Sequence, residues 1–196
     1  MKNKSVILYL VIFVVLLGGA VVMYNKLAPQ FENHNLISET ESEADIEKET
    51  EENNSNKVKA VDFTVVDKEG NEVKLSNFIG KPVIVNFWAS WCGPCKNEMP
   101  DFEEKYQKYK DEIHFLMINV TDGNRETTES AKNFISDSGY TFPVYFDTQL
   151  DASNTYGIYS LPTSLFIDAE GYGIAQATGM IDAELLQTGI DMIYNP

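Results

Sequence analysis

The chain is poor in cysteine and almost without arginine. Two cysteines stand among 196 residues, too few for a disulfide-dense scaffold, so the fold must rest on packing. Lysine and arginine together number 15 against 30 Asp+Glu, a formal net charge of −15, and Arg125 is the one arginine. Nucleic-acid affinity depends on Lys and Arg neutralising phosphates, so this balance excludes a nucleic-acid partner. No second cysteine pair and only two histidines, His34 and His114, leave a zinc site short of ligands. No internal repeat is visible. What remains is enough for one domain, since ~140 residues bury a self-sufficient core.

Three regions follow one another. Residues 1–24 hold the run Ser5 to Met23, nineteen positions without a charge. As a helix it is ~28 Å long, about the hydrocarbon thickness of a bilayer. Lys2 and Lys4 precede the run and the chain beyond Lys26 is acidic, which places the N-terminus in the cytoplasm and the remainder outside. The expectation is a retained transmembrane signal-anchor. A cleaved signal peptide is the alternative, with Gly18-Gly19-Ala20 as its small-residue site. No cysteine lies near the end of the run, which excludes a lipid-modified cysteine anchor. Residues 25–57 are rich in Glu, Asn and Ser with few large apolar side chains. Such a segment cannot offset the entropy of ordering and is expected to be a disordered acidic linker with an end-to-end distance of ~30 Å.

Residues 58–196 carry the folding signals. Val61, Phe63 and Val65 alternate with polar neighbours, and Lys68-Glu69-Gly70-Asn71 supplies a turn before Val73 and Leu75, predicting a β-hairpin. Val83 to Trp88 reads as a strand buried on both faces, and Phe115 to Val120 as a second. Met99, Phe102, Tyr106 and Tyr109 recur at helical spacing. Glu126 to Ser138 is expected to be helical, Phe142 to Phe146 extended, and Asp151 to Tyr156 a short helix. Ser164 to Ile167 and Gly173 to Ala177 are strands, and Asp182 caps a last helix carrying Leu185, Leu186, Ile190 and Ile193. Strands alternating with helices, closed by a hairpin and a helix, give an α/β sandwich with a mixed sheet.

The chemistry sits in Trp91-Cys92-Gly93-Pro94-Cys95, between a buried strand and an amphipathic helix. Two intervening residues let the cysteines close a small disulfide ring across the first helical turn. Cys92 then lies at a helix N-terminus, where unpaired N–H groups and the macrodipole favour a thiolate. A thiolate attacks a disulfide, and a neighbouring thiol resolves the mixed disulfide. Cys92 is therefore assigned the attacking role at an accessible strand end, and Cys95 the resolving role beneath Pro94. A purely structural disulfide is disfavoured because its loop is too short to stabilise much.

The stretch VIVNFWASWCGPC, Val83 to Cys95, resembles the active-site strand and turn of the thioredoxin superfamily. Lys96-Asn97-Glu98-Met99-Pro100 narrows the resemblance to membrane-anchored TlpA/ResA-type thiol-disulfide oxidoreductases. Tyr156-Gly157-Ile158, Ser160-Leu161-Pro162-Thr163 and Leu165 to Asp168 resemble that family's segment around its cis-proline. The resemblance implies a thioredoxin fold, three α/β/α layers on a mixed central sheet. It adds an N-terminal β-hairpin and a central αβ insert at roughly 125–150. It also implies that Pro162 is a cis-proline facing the disulfide, that the Leu161 backbone receives an extended substrate, and that Trp91 shapes the docking surface while Trp88 is core. Two positions depart from relatives. Asn86 replaces the buried aspartate of plain thioredoxins, so the resemblance points to Asp122, expected to be buried with a raised pKa, as the general acid/base for Cys95, with a solvated turn residue before Gly123-Asn124 as the alternative. Gly93 stands where some relatives carry a glutamate. Glu98 fits the family pattern, though a helix surface position also suits a solvated acid.

The function expected is an extracytoplasmic reductase of disulfides in exported proteins, such as apocytochrome c or cell-envelope enzymes. The resemblance implies recharging by a CcdA/DsbD-type membrane electron donor; no metal or other cofactor is expected, and the acidic surface and single tether favour a monomer held at the bacterial cell membrane by its N-terminal helix. A thiol oxidase, a thiol peroxidase and a non-enzymatic binding module are the other readings. Reduction potential separates the first from a reductase, and loss of Cys92 separates the last.

Overall fold

The structure, a computed structural model, describes residues 58–194. The expected membrane span and acidic linker lie outside those residues. Among the described residues, no helix is long and apolar enough to cross a membrane.

Eight strands form one mixed sheet: β1 (Val58–Lys59), β2 (Thr64–Val66), β3 (Glu72–Lys74), β4 (Val83–Trp88), β5 (His114–Asn119), β6 (Val144–Phe146), β7 (Thr163–Ile167) and β8 (Tyr172–Thr178). Their order is β1-β8-β7-β4-β5-β6-β2-β3. The helices are α1 (Gly93–Tyr109), α2 (Thr128–Ser138), α3 (Asp151–Thr155) and α4 (Ala183–Ile193). β4, β5 and β6 run parallel, and β7 lies antiparallel to β4. The hairpin β2–β3 joins the sheet through Val66 opposite Phe146. All six residues of β4 are buried, as its nearly unbroken apolar sequence requires of a central strand covered on both faces.

Alternation along β4 separates the two cores. Ile84 and Trp88 point to the layer holding Met99 and Phe102 of α1, Ala131 of α2, and Leu186 and Ile190 of α4. Val83, Val85 and Phe87 point the other way, toward Phe63, Val65, Leu75 and Ala152 of α3. The result is the three-layer thioredoxin arrangement with the expected hairpin and the αβ insert, α2 and β6, between β5 and α3. On α4, Asp182 accepts from the Leu185 N–H at 2.9 Å as the N-cap. Leu185 itself is 50% exposed. The apolar stripe seats Leu186, Ile190 and Ile193, and Leu185 falls outside it.

Two local features bear on the site. Asn86 occupies the α1 side of β4 between Ile84 and Trp88, so its amide enters an otherwise apolar layer. β7 runs antiparallel to β4 with Thr163 opposite Phe87. The start of β7 therefore sits at the same sheet end as the finish of β4, bringing the residues before Thr163 toward those after Trp88.

Candidate active site

Cys92 is the N-cap of α1, with Pro94 in the first turn. Proline there costs nothing, because its missing N–H would have no helical partner. Cys92 and Cys95 form a disulfide with their Cα atoms 5.3 Å apart. The Cys95 N–H donates to the Cys92 sulfur at 3.2 Å. When the disulfide opens, that N–H and the helix end face the sulfur that must carry charge. Cys95 is 1% exposed and Cys92 4%. Cys92 is thus less accessible than its sequence position suggests. Oxidised, its sulfur packs into the cluster with Ala89 and Trp88, beneath a rim of exposed Trp91, Gly93 and Pro94.

The Leu161–Pro162 peptide is cis. Pro162 is buried at the start of β7, half-buried Leu161 packs against both cores, and the Gly179 N–H donates to the Pro162 carbonyl at 2.9 Å. The cis geometry of Pro162 agrees with expectation. Trp88 is fully buried, as expected of a core residue, and Trp91 is 39% exposed.

One turn along α1 from Cys95 lies a carboxylate that the sequence left ambiguous. Glu98 is 1% exposed, not solvated. It follows Cys95 by three residues, which places both on one face of α1. The Asn86 Nδ2 donates to Glu98 Oε1 at 2.7 Å and to Ser164 Oγ at 3.0 Å. The Ile181 N–H donates to Glu98 Oε2 at 3.0 Å. Burial pushes the Glu98 pKa up to about 7, against the lowering effect of those two hydrogen bonds. A carboxyl whose pKa burial raises to about 7 thus stands one helical turn from Cys95 along α1.

The chain is similar to known proteins in sequence and in fold. The AhpC/TSA family matches residues 57–172. ResA, a thiol-disulfide oxidoreductase of Bacillus thuringiensis (strain Al Hakam), is 38% identical over 129 residues, covering 65% of this chain and 72% of ResA. The chain belongs to the ResA-type thiol-disulfide oxidoreductases of the thioredoxin superfamily. Among solved structures, StoA from Bacillus subtilis is 28% identical with a TM-score of 0.58, over 66% of this chain and 96% of StoA. The pneumococcal exposed lipoprotein thioredoxin Etrx1 from Streptococcus pneumoniae strain TIGR4 is 31% identical with a TM-score of 0.59, over 67% of this chain and 99% of Etrx1.

For this ResA-type protein the expectation about Asp122 needs correction. Asp122 is exposed. Its Oδ1 accepts the N–H groups of Asn124, Arg125 and Glu126 at 2.8, 2.8 and 2.9 Å. These bonds, with that of Glu126 foremost, hold its pKa below the usual carboxylate range. An exposed carboxylate stabilised in its charged form is a poor proton carrier at neutral pH. β5 ends at Asn119, so Asp122 already lies in the loop, where it organises a turn.

The same loop holds residues that sequence reasoning passed over. Glu126 is fully buried. Its carboxylate accepts from Ser90 N–H at 3.1 Å, Ser90 Oγ at 2.7 Å and Asn119 Nδ2 at 2.8 Å. The Arg125 guanidinium carbon lies 3.4 Å from the centre of the Trp91 ring. Neither residue carries a sequence signal, because the contacts join segments far apart in the chain. Glu98 did carry one, namely its place three residues after Cys95 in an apolar stripe. Among the described residues no group of three or more His, Cys, Asp or Glu side chains converges as a metal site would need. A cleft of about 950 Å³ between α2, β6 and the hairpin includes none of these site residues.

Proposed function

We propose that this ResA-type oxidoreductase works as a reductase of disulfides in exported proteins, on the outer side of a bacterial membrane to which its N-terminal helix tethers it. The observation that carries the chemistry is the Cys92–Cys95 pair at the start of α1 with buried Glu98 one turn beyond. In the reduced protein the Cys92 thiolate attacks one sulfur of a client disulfide and displaces the other as a thiolate. The Cys95 thiol gives its proton to Glu98, and the resulting thiolate attacks the Cys92 sulfur. The mixed disulfide breaks, the client leaves as a dithiol, and two electrons have passed from protein to client. Glu98 then returns its proton to solvent or to a departing thiolate. Trp91, Leu161 and Pro162 form the docking rim in this reading.

Direction and place rest on supporting features. Gly-Pro between the cysteines resembles reducing members of the superfamily, and the apolar run at Ser5 to Met23 with its flanking lysines suits an anchor with the domain outside. The pneumococcal relative is described as an exposed lipoprotein. An oxidising exterior demands recharging, for which a CcdA/DsbD-type membrane donor suits a tethered monomer. Apocytochrome c and cell-envelope enzymes are the client classes.

Insulin reduction by the dithiol form, with the reduction potential set against glutathione, tests the reading. The expected result is turnover abolished by Cys92→Ser, with a potential nearer that of thioredoxin, about −270 mV, than of a strong oxidant, about −120 mV. A strongly oxidising potential assigns the protein to disulfide formation. Peroxide turnover by Cys95→Ser assigns it to peroxidase chemistry.

A further inference from the structure

Arg125 stands alone of its kind in a chain with 30 acidic residues, and its position is built. Its guanidinium carbon is 3.4 Å from the Trp91 ring centre, the separation of a face-on stack. Trp91 immediately precedes Cys92 and is exposed at the rim. Two independent clasps hold the loop that carries Arg125. Asp122 Oδ1 gathers three successive N–H groups, that of Arg125 among them. Buried Glu126, the next residue, is bonded to both the N–H and the hydroxyl of Ser90, the residue before Trp91. The Asp122 bonds thus fix the turn after β5 on itself, and Glu126 pins that turn to the segment leading into Cys92 beside the stack.

We infer that Arg125 is a specificity-determining residue of the exchange reaction, selecting clients with a carboxylate next to the disulfide they present to Cys92. A guanidinium stacked on an indole uses its π face and keeps its N–H groups in the plane of the fork, directed past the ring edge. That fork matches a carboxylate in two parallel hydrogen bonds. Stacking on Trp91 also settles the side chain in one place, so less rotamer freedom is lost when a client docks. The other cation near the motif, Lys96, lies on the α1 flank with its ammonium 5.3 Å from the Phe134 ring. The protein's overall negative charge repels acidic clients at long range. A single cation at the rim reverses that preference only where the sulfurs meet, so it acts on the docked complex. The inference rests on Cys92 being the exchanging sulfur.

The test uses the full chain in detergent, reduced, with three synthetic peptides that share one intramolecular disulfide. They differ only in the flanking residues, which are Glu, Gln or Lys. Second-order rate constants for peptide reduction are read for wild type, Arg125→Ala, Arg125→Lys, Arg125→Glu and Cys92→Ser, at low and high salt. The expected result is a loss of about tenfold for the Glu peptide in Arg125→Ala, equivalent to about 1.4 kcal/mol. The Gln peptide stays within about twofold, Arg125→Lys recovers part of the loss, and Arg125→Glu favours the Lys peptide. High salt narrows the contrast. Equal slowing of all three peptides shows that the stack only packs Trp91 and overturns the inference, as does no change in any. Failure of the exchange reading looks different, since Cys92→Ser would then keep activity, or wild type would reduce no peptide, and the inference falls with it.

Discussion

Asn86 and Glu98 meet through a 2.7 Å hydrogen bond inside the layer between β4 and α1. The amide stands where plain thioredoxins have an aspartate, and the acid has moved across to the helix. One carboxyl is thus kept in this layer, on the helix side of the interface. The Asn86 Oδ1 is buried without a hydrogen-bond partner, so this pair has acceptor capacity in reserve.

Glu98→Gln separates proton transfer from packing. Turned about, the Asn86 amide accepts from the new side-chain NH2, and the remaining side-chain oxygen keeps the Ile181 N–H. The folded pKa of Glu98, about 7, is above its ordinary 4.5, so the native state holds the extra proton between those values. Stability from this group is present below pH 4.5 and lost as pH rises to about 7. Oxidised Glu98→Gln should therefore gain on wild type across that window, by about 3 kcal/mol at most. Denaturant unfolding at about pH 4.5 and about pH 8 checks this, and a pH-independent difference contradicts it. The variant should also resolve mixed disulfides about a hundredfold more slowly near neutral pH.

Asn86→Asp places a second carboxyl against the first. Two acids at that distance cannot both ionise cheaply and titrate as a pair. The oxidised variant should lose stability between about pH 6 and about pH 9 more steeply than wild type. Unfolding midpoints over that range report it, and parallel curves would show that the pair is not coupled.

Asp122→Asn probes a structural acid. The oxygen of the substituted amide can still accept the three N–H groups, so reduction of a neutral peptide and its pH profile should follow wild type. Because the Asp122 pKa is held below 3.8 in the fold, its stabilising charge is present above that value and lost as pH falls through the folded pKa. The stability gap between variant and wild type should therefore be visible at about pH 7 and shrink below about pH 4. A displaced pH–rate profile near neutrality would return Asp122 to the chemistry.

Gly189→Ala tests packing far from the sulfurs. A Cβ at Gly189 would stand 2.2 Å from the buried Phe166 ring. Alanine favours a helix interior by about 1 kcal/mol, but the overlap forces α4 off β7, and overpacking costs about 1–3 kcal/mol. Thermal unfolding should show net destabilisation, and a raised Tm would mean that the ring swings clear.

The reach of the sequence differs between elements for physical reasons. β4 and the β2–β3 hairpin were legible because their apolar patterns match one sheet position each. β1 was not, since Val58 and Lys59 are both exposed and held through backbone pairing with β8, which leaves no side-chain pattern. Cys92, Cys95 and Pro162 were readable as local motifs. The acid was misplaced because burial of a carboxylate depends on what folds over it. Glu98 lies on the inner face of α1 against Asn86, whereas Asp122 falls past the end of β5. The Arg125–Trp91 stack joins two loops that only the parallel β4–β5 pairing brings side by side.

The central claim is that Cys92 attacks and Cys95 resolves. Reduced Cys95→Ala, incubated with a disulfide peptide and analysed by mass spectrometry after alkylation, tests it most directly. The predicted result is one stable mixed disulfide, at Cys92, with the matching Cys92→Ala protein forming little adduct through Cys95. Equal trapping through Cys95, or no adduct at Cys92, would contradict the account.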